Sequence, residues 1–484
     1  MKVLLINPPD QLDEILGVGK EFVQKYEPLG LLYLAAIAKK ASCHVKVIDA
    51  YAENLDINKM KLAISEFEPD IIGITTLTSN GAIVYDLGKW IKSITGNSLV
   101  VLGNIHASVY ANQYLQNNCC DIVVHGYGEI PFKNIIDYFN KKCAIDEIPG
   151  ISFVRDGKVV QNPDVKFTKD ISDIPFPARD LIDQNLYKLG EISNQIFIPE
   201  KGKTAKTMIT SRGCPNKCIF CAVNQSSGIS FNNPERVVDE MEILEKKYNA
   251  SYVYIMDSLF MANHTRVEEI LKEKQKRKIK LKWGCDTHVN YLTPEIIEMS
   301  EKAGCHDLSI GFESGNQKSL DIIKKNFTLE DAKKAVKTIK QHSKIKIEGL
   351  FILGLPGEAY EDGVRTINFA KSLPIDMAQF STLVPYPGSP LYYKLSSEGK
   401  IDTGIKKDGI IDTSIWKRYS SYVCFTNMQP IWVNDRLEFS ELISLQKRAQ
   451  REFYLRPKIV FSQLKRIKPQ NLVPMIRIAI KGFY

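Results

Sequence analysis

Ser211-Arg-Gly-Cys-Pro-Asn-Lys-Cys-Ile-Phe-Cys221 is the stretch on which the reading of this chain turns. Cys214, Cys218 and Cys221 stand in a C-x3-C-x2-C spacing, directly after a segment that reads as a β-strand. Thiolates are soft ligands suited to iron–sulfur clusters. Three of them on so short a loop can each take one iron of a cubane. The fourth iron is then open to a substrate, much as catalytic zinc keeps an open position. Gly213 and Pro215 shape the loop so that the sulfurs can converge. A zinc site would want a fourth ligand at finger-like spacing, and no Cys or His follows within 40 residues of Cys221. Buried structural thiols would not need the Gly and Pro framing.

On either side of this loop, strands alternate with helices. Downstream, candidate strands are Thr207–Ser211, Tyr252–Met256, Lys282–Cys285, Asp307–Gly311, Ile347–Leu353 and Gln379–Leu383. Helical periodicity fills the gaps between them. Six βα units make a partial barrel, with its active site at the carboxyl ends of the strands. Upstream, Val3–Asn7, Val45–Asp49, Asp70–Thr76, Leu99–Gly103 and Ile122–His125 read as five strands of a doubly wound sheet, which also binds ligands at its carboxyl edge. Between the two lies a linker carrying a hairpin, Ile151–Arg155 and Lys158–Gln161 around Asp156-Gly157. After Pro390 the rhythm ends, and a helix is expected over Val433–Tyr454. The expected division is 1–147, 148–203 (linker), 204–393 (barrel) and 394–484 (helical, with a basic tail).

With these residues in view, the chain resembles the radical S-adenosylmethionine (SAM) superfamily. Three further segments carry the likeness: Ser309-Ile-Gly-Phe-Glu-Ser-Gly315, Phe351-Ile-Leu-Gly-Leu-Pro-Gly-Glu358 and Pro385-Tyr-Pro-Gly-Ser-Pro-Leu-Tyr392. The resemblance implies a [4Fe–4S] cluster on Cys214, Cys218 and Cys221, chelated by the amino and carboxylate groups of SAM. It implies Phe220 beside the adenine, and Glu313 and Ser314 near the methionyl and ribose parts. Asp257, at the end of the second barrel strand, reads either as a SAM-binding acid or as a helix cap. In such a site a reduced cluster passes an electron to the sulfonium, and a 5′-deoxyadenosyl radical results.

The leading segment resembles the cobalamin-binding domain that precedes the barrel in one large subfamily. Val3–Pro9, Thr75-Thr-Leu-Thr-Ser79, Val101-Leu-Gly-Asn-Ile-His106 and His125-Gly-Tyr-Gly-Glu129 carry this likeness. Ile148-Pro-Gly-Ile-Ser152 and Pro175-Phe-Pro-Ala-Arg-Asp180 match its linker. The candidate cobalamin contacts are Thr76, Ser79, Gly103, His106, Gly126, Gly128 and Glu129. Small residues let a large planar ligand approach the backbone, and hydroxyls can bond its amides. Two features depart from the pattern. Asn104 stands where the subfamily commonly has a second Gly, and no D-x-H-x-x-G motif follows the first strand. Cys43, Cys119 and Cys120 read as packing residues.

The 484 residues are 44% hydrophobic and 25% charged, which excludes a disordered or fibrous chain. No apolar run reaches about 18 residues, so no spanning helix is expected, and the start is too short in apolar residues for a signal peptide. A cytoplasmic protein is the expectation. The net charge is +8, but Gln446–Tyr484 alone carries ten basic residues against Glu452, so the rest sums to −1. That basic, apolar-interleaved tail reads either as a peripheral contact with the inner membrane surface or as a helix on the barrel. No nucleic-acid module is recognisable. The resemblance implies a radical SAM methyltransferase with cobalamin, acting on a small-molecule or lipid substrate with an external one-electron reductant of flavodoxin or ferredoxin type. Two other readings stay open. One is a radical SAM enzyme without cobalamin that abstracts hydrogen, cyclises or methylthiolates. The other is a membrane- or nucleic-acid-binding protein with a structural cluster.

Overall fold

The computed structural model describes residues 1–464 apart from 18–22, 95, 188–196, 198, 226–227, 408 and 427. Two sheets organise them. The first has strand order β2-β1-β3-β4-β5-β6-β7. Its strands are β1 (Lys2–Asn7), β2 (His44–Asp49), β3 (Ile71–Thr75), β4 (Leu99–Gly103), β5 (Ile122–Val124), β6 (Ile151–Arg155) and β7 (Lys158–Gln161). The first five are parallel, as expected from their apolar runs: Val3 to Ile6 are buried on both faces. The hairpin placed in the linker instead joins this sheet, because β6 pairs antiparallel with β5. Its inner residues Ile151 and Phe153 complete the core beneath it.

The second sheet is the partial barrel, all parallel, in the order β15-β14-β13-β12-β11-β8. These strands are β8 (Thr204–Met208), β11 (Ala250–Ile255), β12 (Lys282–Thr287), β13 (Cys305–Glu313), β14 (Lys346–Leu353) and β15 (Met377–Thr382). A short ribbon of β9 (Ser211–Arg212) and β10 (Ser230–Phe231) brackets the cysteine loop. On β14 the residues alternate between buried and half-buried, so Ile347, Phe351 and Leu353 meet the helices while Glu348, Leu350 and Ile352 face the lumen. The helices start where caps dictate. Asn233 precedes Pro234, Thr293 precedes Pro294 and Ser389 precedes Pro390, each accepting a backbone N–H of the first turn.

The carboxy-terminal region is helical, as expected, but its main helix runs Phe439–Tyr454 rather than from Val433. Asn434 turns the chain first, with its amide on the Leu355 carbonyl at 3.2 Å. Residues Thr413–Arg418 pack back on helix Gly81–Ile94 of the first domain and Val423–Thr426 on helix Leu12–Leu16, while helix Phe439–Tyr454 packs on β15, so this region touches both domains. Among the described residues no helix is long and apolar enough to cross a membrane. Most of the basic tail, from Lys465 onward, lies outside the described residues.

Candidate functional site

The cysteine loop leaves β9 and is held at three points. Ile219 N–H donates to the Ile323 carbonyl at 3.2 Å, and Leu391 N–H donates to the Ile219 carbonyl at 2.8 Å. The second bond explains the Pro385–Tyr392 motif, whose Ser389-capped helix start delivers Leu391 to the loop. Asp257 is fully buried and accepts from the Thr210 N–H, the Thr210 hydroxyl and the Ser211 hydroxyl at 2.5–2.6 Å. It therefore fastens the strand end that launches the loop, and it is neither exposed to a ligand nor a helix cap.

Cys214 and Cys221 are half-buried and Cys218 is buried. Burial pushes the Cys218 thiol up to about 11, while the Lys325 ammonium works against that shift. The Asn216 amide reaches the Cys214 sulfur at 3.7 Å, and the Lys324 carbonyl faces Cys218 at 3.9 Å. Among the described residues no three His, Cys, Asp or Glu side chains close around a single ion. Three soft thiol donors on one short loop fit a cubane that keeps one iron open.

Glu313 ends β13 with φ +64 and is buried. Its carboxylate accepts from the Lys325 ammonium at 2.8 Å. Gly311 is required beneath this pair, since a Cβ there would stand 2.3 Å from the Glu313 carboxylate. Lys325 escaped the sequence reading because it sits twelve residues after Glu313 in no periodic pattern. Ser314 is turned away from the loop: its hydroxyl donates to Glu358 at 3.0 Å, and Glu358 also accepts the Leu355 N–H at 3.0 Å. The Gly354–Glu358 turn thus ties the end of β14 to the end of β13. Phe220 is half-buried at the loop's end, packed against the core.

On the first sheet, the carboxyl edge presents Gly126 with open space above it and Gly103, where a Cβ would meet only Val124, at 4.0 Å. Thr76 is buried, and its hydroxyl oxygen has no partner among the described residues. Small residues over open space and an orphaned hydroxyl beside them fit a large planar ligand with amide side chains. Asn104 keeps a backbone that is essentially glycine-only, φ +81 and ψ 170, with its amide on Thr75 at 3.1 Å. The replacement of Gly therefore leaves the path of the loop unchanged.

Four expected cobalamin contacts are placed otherwise. Ser79 donates to Asp10 at 2.7 Å. Gly128 faces Leu34 rather than open space. His106 is fully buried, with Nδ1 on Thr78 at 3.2 Å and its ring edge-on to Trp416 at 4.3 Å. Burial holds it neutral, with its pKa down at about 3. Glu129 leaves the edge altogether: it forms a bidentate ion pair with Arg212 at 2.5 and 2.8 Å. Arg212 lies two residues before Cys214, and its guanidinium also covers the Tyr127 ring at 4.7 Å. The edge of the first sheet and the root of the cysteine loop are thus one continuous surface.

That geometry describes a radical SAM enzyme preceded by a B12-binding domain. The family models agree: the radical SAM superfamily matches residues 208–370, and the B12 binding domain matches residues 15–136. The chain is 30% identical over 470 residues to an uncharacterised methyltransferase of Pyrococcus horikoshii, covering 96% of this chain and 95% of the relative. It belongs to that family of cobalamin-dependent radical SAM enzymes, whose cofactors are a [4Fe–4S] cluster, SAM and cobalamin. It is also 26% identical to the cytidylyl-2-hydroxyethylphosphonate methyltransferase of Streptomyces wedmorensis, over 83% of both chains. The fold is shared with the cobalamin-dependent radical enzyme OxsB (TM-score 0.70, 17% identity, all of this chain and 72% of that one). It is shared too with the methyltransferase TsrM of Kitasatospora setae (TM-score 0.69, 16% identity, 97% and 92%).

Proposed function

We propose that this chain methylates an unactivated carbon of a small-molecule substrate held between its two ligand edges. One observation carries the reading: the Glu129–Arg212 pair joins the open edge of the first sheet to the root of the cysteine loop. Groups bound on the two edges then face each other across a shared chamber. Met256, Tyr127 and Leu77 expose apolar surface there, at 41%, 49% and 39%. When bound, cobalamin supplies a transferable methyl group, and the reduced cluster with SAM supplies a hydrogen-abstracting radical.

The chain's own residues do the rest. Cys214, Cys218 and Cys221 hold the cluster. Phe220 flanks the adenine, and the Glu313–Lys325 pair offers a donor and an acceptor to the amino-acid part of SAM. Thr76, Gly103 and Gly126 receive the cobalamin. Asp257 and Ser314 act as positioning residues, through Thr210 and Glu358. A flavodoxin- or ferredoxin-type protein is the proposed reductant.

The test is anaerobic reconstitution followed by iron, cobalamin and product analysis. About four irons per chain are expected, with bound cobalamin and reductive release of 5′-deoxyadenosine. Cys214→Ala, Cys218→Ala and Cys221→Ala should each abolish that release while leaving cobalamin binding intact. Cleavage that survives these changes would overturn the cluster assignment. Iron without cobalamin would favour hydrogen abstraction or cyclisation instead.

A further inference from the structure

The barrel lumen holds an acidic layer for which the reading above has no use. Asp286 on β12 accepts from the Tyr254 hydroxyl at 2.6 Å. Glu348 on β14 accepts from Ser309 at 2.8 Å and from the Gln379 amide at 2.9 Å. Tyr254 also stands 3.1 Å from Ser309, so the two carboxylates belong to one network. Neither has an ion-pair partner among the described residues, and one oxygen of Asp286 has no partner at all there. Below them, Asp307 adds a third acid, bonded to Tyr252 and His306.

Carboxylates drawn largely out of water without a counter-ion are costly, and proteins keep them where something else compensates the charge. Burial and the neighbouring acids hold both Asp286 and Glu348 up at about 6. A second, independent feature points into the same layer. Thr207 is fully buried and its hydroxyl oxygen has no partner among the described residues. It pairs in register with Tyr254, so both side chains share the lumen face, while the preceding Lys206 turns outward to Glu27. Gln379 is exposed, so the layer is open rather than packed shut.

We infer that this layer is a subsite for a primary ammonium group of the substrate, with Asp286 and Glu348 as its counter-ions. An ammonium has three donors and no acceptor. The layer offers acceptors to match: the free oxygen of Asp286 and the Glu348 carboxylate, joined through Tyr254 and Ser309, with the Thr207 hydroxyl on the same lumen face beside Tyr254. A phosphonate or carboxylate at the same depth would face like charge. On β13 the layer lies at Ser309, four residues below Glu313. At about 3.3 Å per residue, the amine sits roughly 13 Å from the SAM end of the lumen. The substrate is then an elongated amine whose reacting carbon is remote from its nitrogen. This inference rests on the proposed function and extends its substrate from the chamber between the two edges down into the lumen.

The experiment measures binding without turnover, so it stands or fails separately from methyl transfer. The reconstituted holoenzyme is titrated with n-butylamine, n-butanol, butyrate and potassium chloride, each at matched ionic strength, and followed by thermal shift. A saturable rise in Tm with butylamine alone is expected. Asp286→Asn and Glu348→Gln should each weaken it by about tenfold. Thr207→Val, which keeps the shape, should weaken it less and guards against loss of fold in the acid variants. An equal rise with butanol or potassium chloride would overturn the inference. So would a rise with butyrate, no rise with butylamine, or a butylamine rise that survives all three substitutions.

Discussion

His106 shows how a residue's environment decides what its side chain can do. The sequence places a histidine at the end of β4, where it could reach a planar ligand. The structure packs its ring against Trp416 and Tyr110, and a Cβ on Gly81 would stand 2.6 Å from its Nε2. A charged imidazolium is cut off from solvent there, and its Nε2 has no partner among the described residues, which is why its pKa falls from 6.5 to about 3. The folded state thus refuses a proton that the unfolded state takes up below about pH 6.5. Its contribution is fully present above that pH and is lost progressively as the pH falls toward 3. At one pKa unit per 1.36 kcal/mol, the loss attributable to His106 between about pH 7.5 and about pH 5 is roughly 2 kcal/mol. Urea unfolding at both pH values checks this: His106→Phe should show a stability drop smaller than wild type by that amount. An identical drop would mean that the ring is protonated in the folded protein. Legibility at this scale was uneven for the same reason. The three cysteines could be read because chemistry fixes their spacing. Glu129, Ser314 and Ser79 could not, because a strand-end position does not say whether a polar group faces a ligand or a neighbouring loop.

At the scale of elements the sequence was more readable. Alternation and apolar runs located eleven strands of the two sheets, and helical periodicity filled the gaps between the barrel strands. What local pattern could not tell was pairing. The β6–β7 hairpin has an obvious turn, but nothing in its residues says that it extends the first sheet. Close approach is equally silent in sequence. Gly88 lies inside helix Gly81–Ile94, where alanine would ordinarily gain about 1 kcal/mol of helix propensity. Here its Cβ would stand 2.3 Å from the Cys119 carbonyl oxygen, part of the backbone leading into β5. Backbone cannot swing aside as a side-chain tip can, so the sign reverses. Gly88→Ala should destabilise by about 1–3 kcal/mol in denaturant unfolding. Gly30, with nothing within 4 Å, provides the control: Gly30→Ala in helix Leu29–Lys40 should stabilise by a few tenths to about 1 kcal/mol.

Across the whole molecule the two sheets are joined by charge buried between them. Arg179, from the segment linking the domains, pairs with Glu27 of the first domain and with Glu240 of the barrel helix Pro234–Lys246. It also donates to the Thr207 carbonyl at 2.7 Å. Lys206 meets the same Glu27 at 3.3 Å. Near the site, Glu129 and Arg212 repeat the arrangement with the first domain supplying the acid. Such pairs add little net stability over an apolar contact, but they are unforgiving of half-removal. They therefore fix orientation, which the proposed chemistry needs, since groups on two separate edges must meet at one carbon. Glu129→Gln should leave Arg212 charged and unmatched in a buried place, at a cost of about 3–5 kcal/mol. Glu129→Gln with Arg212→Met removes both charges and should recover much of that stability. It should not recover the full alignment, because the bidentate bond between the cysteine loop and the first domain is then gone, leaving the weaker contact of Tyr127 with the Gly213 backbone. Denaturant unfolding separates the two variants by stability. Product analysis then separates stability from alignment: the double variant should still release 5′-deoxyadenosine, with a lower ratio of methylated product to nucleoside. If that ratio is unchanged, the pair serves folding alone and the two edges are aligned by the Arg179 network.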